Sequence, residues 1–403
     1  MTVDSRSKKD RGDLSWPRVA LGDVASIERQ AVAPEDVHRY QFYVGLENVT
    51  SSGGFKRVTT ASEAALKSNK FAFDDGHVLY GKLRPYLAKI AAPTFTGICS
   101  TDILPIKPSA RLNRRYLLHY LRIPEMVAYA ASNAVGINLP RLSPKALESF
   151  EIPLPSIEEQ RQIAAVLDAA DALRAKRREA LAQLDGLVEA VFHDLFGDPV
   201  LNPRGWREGR VLGEVAEIRS GITKGRKSGD LPLAPVPYLA VVNVQDGFIV
   251  LDPIKSIDAT AAEVERYHLR VGDILLTEGG DADKLGRGAV WHGQIDPCIH
   301  QNHVFRVRLT DAGLAPEFIS RLLGSQRGKR YFLRMAKQTT GIASINLTQL
   351  RGFPILEPPL AAQEEFLNQL SCIRDTEAVL QRSAEQMDML FASLQQRAFR
   401  GEL

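Results

Sequence analysis

Cysteine is scarce in this chain: Cys99, Cys298 and Cys372 are the three among 403 residues, and they lie far apart. That number suits neither a disulfide framework nor a zinc cluster, and it points to a reducing compartment, the cytoplasm. Long apolar runs are missing too. No stretch of eighteen uninterrupted apolar residues occurs, and the polar start from Met1 to Asp13 has no apolar core of the kind a secretion signal needs. A membrane span and an exported product are therefore both disfavoured. Charge of one sign is also lacking, since 51 basic against 48 acidic residues leave only +3. A protein that coats nucleic acid by bulk electrostatics is far more basic, so any nucleic-acid binding must rest on local patches and specific contacts. The hydrophobic share, 44%, is ordinary for a folded protein, and the length favours two or three domains over one.

What the chain has is itself, twice. Trp16 followed by Leu21-Gly22-Asp23-Val24-Ala25 returns as Trp206 followed by Leu212-Gly213-Glu214-Val215-Ala216. Tyr43 with Asn48 returns as Tyr238 with Asn243, each followed by a Gly-Phe pair, Gly54-Phe55 and Gly247-Phe248. Asp75-Gly-His-Val-Leu79 matches Val271-Gly-Asp-Ile-Leu275, and Ile137-Asn138-Leu139 matches Ile345-Asn346-Leu347. Last come Phe150 to Pro155 with Glu159-Gln160, and Phe353 to Pro358 with Gln363-Glu364. Two copies are too few for a solenoid, which needs about three stacked units. The chain reads as a pseudo-dimer.

Each copy has two parts. The first, roughly 140 residues, mixes short β-like runs with Gly, Pro and Asp punctuation and one or two helical stretches such as 115–121 and 317–323, an α+β pattern. The second part follows a proline stop, Pro153 and Pro155 in one copy, Pro358 and Pro359 in the other. It is then free of proline for about forty residues, with apolar residues at steps of three and four. Ile163, Val166, Leu173, Leu181, Leu184 and Val188 form one seam, and Phe366, Leu370, Ile373, Leu380, Met387 and Leu394 the other. At about 1.5 Å per residue each helix would be roughly 55–60 Å long. So narrow a stripe cannot be buried against a small domain alone, and mutual packing as an antiparallel coiled coil is the economical arrangement. Arg177 and Glu377 interrupt the seams, as register-fixing polar residues do.

The expected fold is thus α+β: two globular, mixed domains in tandem pseudo-repeat, joined by two long helices. The expected boundaries are a disordered arm at 1–15, a first domain at 16–155, a central spacer helix at 156–200, a second domain at 201–359 and a C-terminal spacer helix at 360–403.

No catalytic constellation is present. Gly221 to Ser228 superficially resembles a phosphate loop, but an Arg separates Gly225 from Lys227 and only three residues lie between the glycines. His292, His300, His303 and Cys298 are a loose group without a second ligand set, closer to a strand and loop than to a zinc site. Gly279 to Gly286 lacks the EF-hand ligand spacing. The motifs of serine hydrolases, zincins and dinucleotide-binding folds do not occur.

Binding chemistry fares better. Lys82, Arg84, Tyr86 and Lys89 interleave cations with an aromatic in a glycine/proline context, and Lys284 and Arg287 occupy the corresponding stretch of the second copy. Ser100-Thr101-Asp102 follow in the first copy, and His300-Gln301-Asn302 stand in parallel in the second. Lys224, Arg226 and Lys227 add a further basic loop. Such side chains reach base edges: Arg or Lys to guanine, Asn or Gln to adenine, acids to the cytosine amino group. The plain alternative for each is a polar loop over a strand end. They lie, however, in the divergent middles between recurring landmarks, where a duplicated scaffold with two specificities would differ. Arg174, Lys176, Arg177 and Arg178 form a basic cluster at mid-helix, either a solvated face or a phosphate contact.

The repeated Leu-Gly-[Asp/Glu]-Val-Ala opening, Gly272-Asp-Ile-Leu-Leu276, and the Ile152-Pro-Leu-Pro…Glu159-Gln160…Ile163 run resemble the specificity subunit of type I restriction-modification systems over about residues 16–403. The second copy departs from the pattern with Gln-Glu for Glu-Gln, and the first with Gly-His-Val for Gly-Asp-Ile. The resemblance implies a subunit without catalysis of its own, carrying two target recognition domains. Each would read half of a bipartite duplex sequence, with the helices setting the gap. It also implies partners: double-stranded DNA, two adenine methyltransferase subunits and motor-nuclease subunits. S-adenosylmethionine, ATP and magnesium would sit on those partners and no cofactor on this chain. The competing class is an interaction scaffold of two β-rich modules held apart by a coiled coil, without nucleic acid.

Overall fold

A computed structural model describes residues 16–64, 66–226, 232–280, 285–339 and 342–403. The expected arm at 1–15, together with Lys227 and Lys284, lies outside these described residues. The chain divides into two compact units: one runs to Ala180 and takes in Leu380–Leu403, and the other is Leu181–Val379.

The first unit holds a four-stranded antiparallel sheet in the order Ala25–Ile27, Ile103–Pro108, Val78–Gly81, Ile90–Ala91. Val78–Gly81 is buried at all four positions, which is why it reads as a continuous apolar run and not an alternation. A second sheet orders Ala31–Val32, Lys70–Phe73, Gly97–Cys99, Phe42–Val44 and Thr59–Thr60, with one parallel pairing that sets Tyr43 opposite Ile98. Helix Arg114–Leu121 starts at Asn113, whose side chain accepts from the N–H groups of Arg115 and Tyr116.

The second unit repeats this plan. Its four-stranded antiparallel sheet runs Ala216–Ser220, Val304–Leu309, Ile274–Thr277, Gly288–Val290. Its second sheet orders Lys255–Ala259, Ala234–Leu239 and Ile299–His300, and the parallel pairing sets Tyr238 opposite Ile299. A small third sheet, Gly279–Gly280 with Ile342–Ser344 and Lys337–Thr339, belongs to this unit.

The recurring motifs recur because they hold backbone. The Leu21 N–H donates to the Phe150 carbonyl, and the Leu212 N–H to that of Phe353, both part of the closure of the domain's ends on each other. Gly22 and Gly213 follow because a Cβ there would stand 3.3 Å from Glu148 Cβ and 3.0 Å from Arg351 Cβ. Asn48 and Asn243 each accept from the N–H three residues back, of Gly45 and Ala240, and donate to two carbonyls of the next turn. One proposed match fails. Ile345 is buried and its N–H donates to the Glu278 carbonyl, and in the first unit that bond is made by Leu142, to Lys82, while Ile137 is 99% exposed. The shared tripeptide is a coincidence of composition.

Two long helices, Ile157–Phe196 of 40 residues and Leu360–Ala398 of 39, contribute to both units. The first opens on a capping box: the Ser156 N–H and hydroxyl donate to the Glu159 carboxylate, which lies three residues on. It ends at Gly197, which takes a left-handed φ of 77° as helix-terminating glycines do. In the first unit Ile163, Ala164 and Leu167 share one core with Phe391 and Ala398. In the second unit Phe192 and Phe196 share a core with Phe366 and Leu370. Each unit thus buries the early part of one long helix beside the late part of the other.

The seams need two corrections. Val166 and Leu173 are 45% and 56% exposed, and Leu167 and the stem of Arg174 take the inward places instead. With 3.6 residues per turn, the stripe through Ile163 continues at 167, 170 and 174, so a seam drawn through 166 and 173 slips off the face. Of the other seam positions, Ile163, Phe366, Leu370 and Ile373 are buried, and Leu181, Leu184, Val188, Leu380, Met387 and Leu394 are partly buried.

Candidate nucleic-acid interface

In the first unit three chain segments meet at the end of strand Val78–Gly81. The Lys82 N–H donates to the Asp102 carbonyl, and the Lys82 carbonyl accepts from the Leu142 N–H, each at 2.9 Å. Arg84 follows with φ 52°, its N–H donating to the Pro140 carbonyl at 2.7 Å and its side chain exposed. Tyr86 is 53% exposed on the short turn Pro85–Leu87. Ser100 is half-buried, its N–H donating to the Val44 carbonyl, and Thr101 beside it is exposed. Across this junction the Arg141 guanidinium Nε lies 3.2 Å from Asp102 Oδ1. The preceding loop carries Val135 and Ile137, 80% and 99% exposed. The segments that carry Lys82, Ser100 and Thr101 therefore meet at one junction, with Arg84 and Tyr86 following directly in the chain.

Lys89 does not join them. Its ammonium donates to the Leu46 carbonyl at 2.5 Å, so the cation is spent on holding the fold. Arg287 repeats this in the second unit: the Gly81 and Thr277 N–H groups donate to the Lys89 and Arg287 carbonyls respectively, and the Arg287 guanidinium donates to Gln245 Oε1 at 3.1 Å.

The same junction exists in the second unit with other side chains. The Glu278 N–H donates to the His303 carbonyl at 3.0 Å, and the Glu278 carbonyl accepts from the Ile345 N–H at 2.9 Å. Glu278 thus stands where Lys82 stands, and His303 where Asp102 stands. His303 Nδ1 lies 2.5 Å from Glu278 Oε2, and Asn302 Nδ2 3.3 Å from His303 Nε2. Gln301, whose N–H donates to the Leu239 carbonyl, is the counterpart of Ser100, and Asn302 that of Thr101; pairing Ser100 with His300 is one residue out of step. Lys224 is exposed on the loop that leaves Ile222, which is bonded to His300 and Asn302 through the main chain. Arg226 is held by Glu263, with a second contact to the Asp258 carbonyl, and the Glu263 carboxylate raises its pKa while being itself held down at about 2. That guanidinium is already neutralised.

Two residues of the mid-helix cluster, Arg174 and Arg178, are likewise committed. Arg174 binds Asp171 at 2.9 Å and Asp388 at 2.6 Å, and its guanidinium carbon sits 4.2 Å from the centre of the Phe391 ring. Arg178 reaches the same Asp388 at 3.0 Å. Burial would push the Asp388 carboxyl up, but these arginines outweigh it and hold the carboxyl below its ordinary range. A phosphate contact is not what these two arginines are arranged for. Among the described residues no group of histidine, cysteine and carboxylate side chains is placed to hold a metal.

Arg141, and the pairing of Glu278 with His303, are what sequence reasoning missed. Arg141 lies far along the chain from Asp102, and only the register of the three joined segments brings them together.

Residues 14–183 match the family described as Type I restriction modification DNA specificity domain. The chain is 24% identical over 315 residues to the Type I restriction enzyme StySPI specificity subunit of Salmonella potsdam, covering 74% of this chain and 67% of that protein. It is 24% identical over 317 residues to the Type I restriction enzyme EcoKI specificity subunit of Escherichia coli K12, with the same shares of 74% and 67%. Among solved structures, one on complex assembly and conformational transition of the type I R-M system superposes with a TM-score of 0.61 at 20% identity, covering 97% of this chain and 99% of that one. The S subunit of a type I restriction-modification system from M. genitalium superposes with a TM-score of 0.56 at 14% identity, covering 97% and 98%. Those two likenesses establish a shared fold.

Proposed function

Because the chain belongs to the family of type I restriction-modification specificity subunits, we propose that its two units are target recognition domains, each reading one half of a bipartite duplex sequence. The chain is the DNA-specificity subunit and not the catalytic one, and the interaction scaffold without nucleic acid is not favoured. The observation that carries the two-headed reading is the repeated junction. Two sheets of like topology end in the same pair of main-chain bonds, at Lys82 and at Glu278, and present different side chains there. One scaffold with two chemistries is what two half-sites require.

The long helices are the spacer in this reading, packed on each other as an antiparallel coiled coil. Helices of 40 and 39 residues measure about 60 Å. Half-sites one helical turn apart are separated by about 34–36 Å along DNA, within that reach. Lys82, Arg84, Tyr86 and Lys224 supply backbone-facing contacts, and Ser100, Thr101, Gln301 and Asn302 approach base edges. Two adenine methyltransferase subunits and motor-nuclease subunits complete the complex and bring S-adenosylmethionine, ATP and magnesium. This chain's own contribution is to bind and orient DNA in the cytoplasm. No described helix is long and apolar enough to cross a membrane.

The test is adenine-methylation mapping in cells that express the chain with a methyltransferase subunit. The reading predicts one bipartite motif with a constant gap. Modification without sequence preference, or confined to a single uninterrupted motif, contradicts it.

A further inference from the structure

We propose that the ion pair Asp102–Arg141 is a base-reading element of the first domain, beside Ser100 and Thr101, and that it reads a G·C pair, an inference that rests on the domain's reading DNA at this junction. Arg141 and Asp102 are partly exposed at 46% and 28%, lie 3.2 Å apart, and stand on two segments locked to Lys82 by main-chain bonds. A guanidinium beside a carboxylate presents donors next to an acceptor. The major-groove edge of G·C presents the complement: the N7 and O6 acceptors of guanine, then the N4 amino donor of cytosine. An A·T pair offers acceptor, donor, acceptor and a methyl group, which this order does not match.

The pair is electrically neutral, so it gains little from phosphate and is suited to discrimination. Lys82 and Arg84, on the segment bonded to the segments of both, carry the backbone attraction. The second domain places Glu278 and His303 at the corresponding positions, 2.5 Å apart, with Asn302 beside them. The same locus therefore reads a different base there. Neither Asp102 nor Arg141 contributes to a core, so their chemistry is free to vary with the sequence read.

The experiment is methylation mapping with the complex carrying Arg141→Gln, Asp102→Asn or both, beside wild type. One half-site should lose its demand for G·C at a single position, with discrimination there falling roughly 5- to 150-fold, while the other half-site and the gap stay as they were. Lys82→Ala and Arg84→Ala should lower modification evenly without altering the motif. An intact motif in the Arg141→Gln complex, or an even loss like that of Lys82→Ala, overturns the proposal. Where Arg141→Gln abolishes modification, Arg141→Lys decides, since it keeps the charge and loses the fork: a relaxed position supports the proposal and an unchanged motif overturns it. A wild-type complex with no bipartite motif would instead overturn the underlying reading, and this inference with it.

Discussion

Gln160 and Gln363 make the same three hydrogen bonds in the two halves of the chain. Gln160 Oε1 accepts from the Asn113 N–H at 2.7 Å, and its amide donates to the carbonyls of Arg111 and Pro155. Gln363 accepts from the Ala315 N–H at 2.8 Å and donates to Gly313 and Pro358. Both are fully buried. Each ties the first turn of a long helix to the helix that begins at the following residue, Arg114–Leu121 or Pro316–Gly324. Gln160→Ala and Gln363→Ala each leave one N–H and two carbonyls without that partner, one of the carbonyls buried, which costs about 3 kcal/mol. For a unit of this size that lowers the melting temperature by roughly 6–12 °C. Differential scanning calorimetry of either variant should show that drop. A change within 1 °C would mean water replaces the amide without penalty.

Such correspondences show what was legible in the sequence. The residues that recur, Leu21 and Leu212, Asn48 and Asn243, Gln160 and Gln363, all satisfy backbone groups, and backbone geometry tolerates little change. The apparent swap of Gln-Glu for Glu-Gln dissolves, because the glutamine alone is the shared residue. Features that depend on which way a side chain turns were not legible. Lys89 and Arg287 look like free cations in a loop, yet each is bonded within its own unit, to the Leu46 carbonyl and to Gln245 Oε1. Val166 and Leu173 are apolar, but the helical stripe passes one position away from each. Arg141 could not be paired with Asp102 before the register was known.

His300 predicts a pH dependence. It is fully buried, and that burial pushes its pKa down to about 4. The Val304 carbonyl lies 2.7 Å from Nδ1, while Nε2 has no partner among the described residues. The unfolded chain takes up a proton near 6.5 that the folded chain refuses until about 4. This contribution to stability is therefore complete above pH 6.5 and declines as pH falls toward 4, by at most about 1.4 kcal/mol per pH unit. Urea unfolding of His300→Gln should show a shallower decline over that window than wild type. Parallel curves would contradict the assignment.

Asp168 acts at lower pH. Burial would raise its carboxyl, but hydrogen bonds from His119 at 2.6 Å and Arg115 at 2.5 Å outweigh burial and hold it at about 2, against an ordinary 3.8. Its contribution is present above about 3.8 and is lost as pH falls through about 2. Asp168→Asn should be less stable than wild type at neutral pH and should converge on it by pH 2. Circular dichroism during acid titration would detect a gap that persists instead.

Two glycines should respond to alanine with opposite signs. Gly186, inside the helix Ile157–Phe196, has open space where a Cβ would go, so Gly186→Ala should stabilise by about 1 kcal/mol through helix propensity. At Gly328, in helix Gln326–Met335, a Cβ would meet the Leu323 carbonyl oxygen at 1.8 Å. Gly328→Ala should destabilise by about 3 kcal/mol or more. Denaturant titration of the two variants gives both signs directly, and a neutral Gly328→Ala would place the backbone at 323 elsewhere.

The most direct test of the central claim, two reading heads held apart by paired rods, is to lengthen the rods. One helical turn inserted after Arg177 and one after Glu377 should leave both half-sites unchanged and lengthen the unspecified gap in the methylation map. An unchanged gap with modification retained would contradict the account.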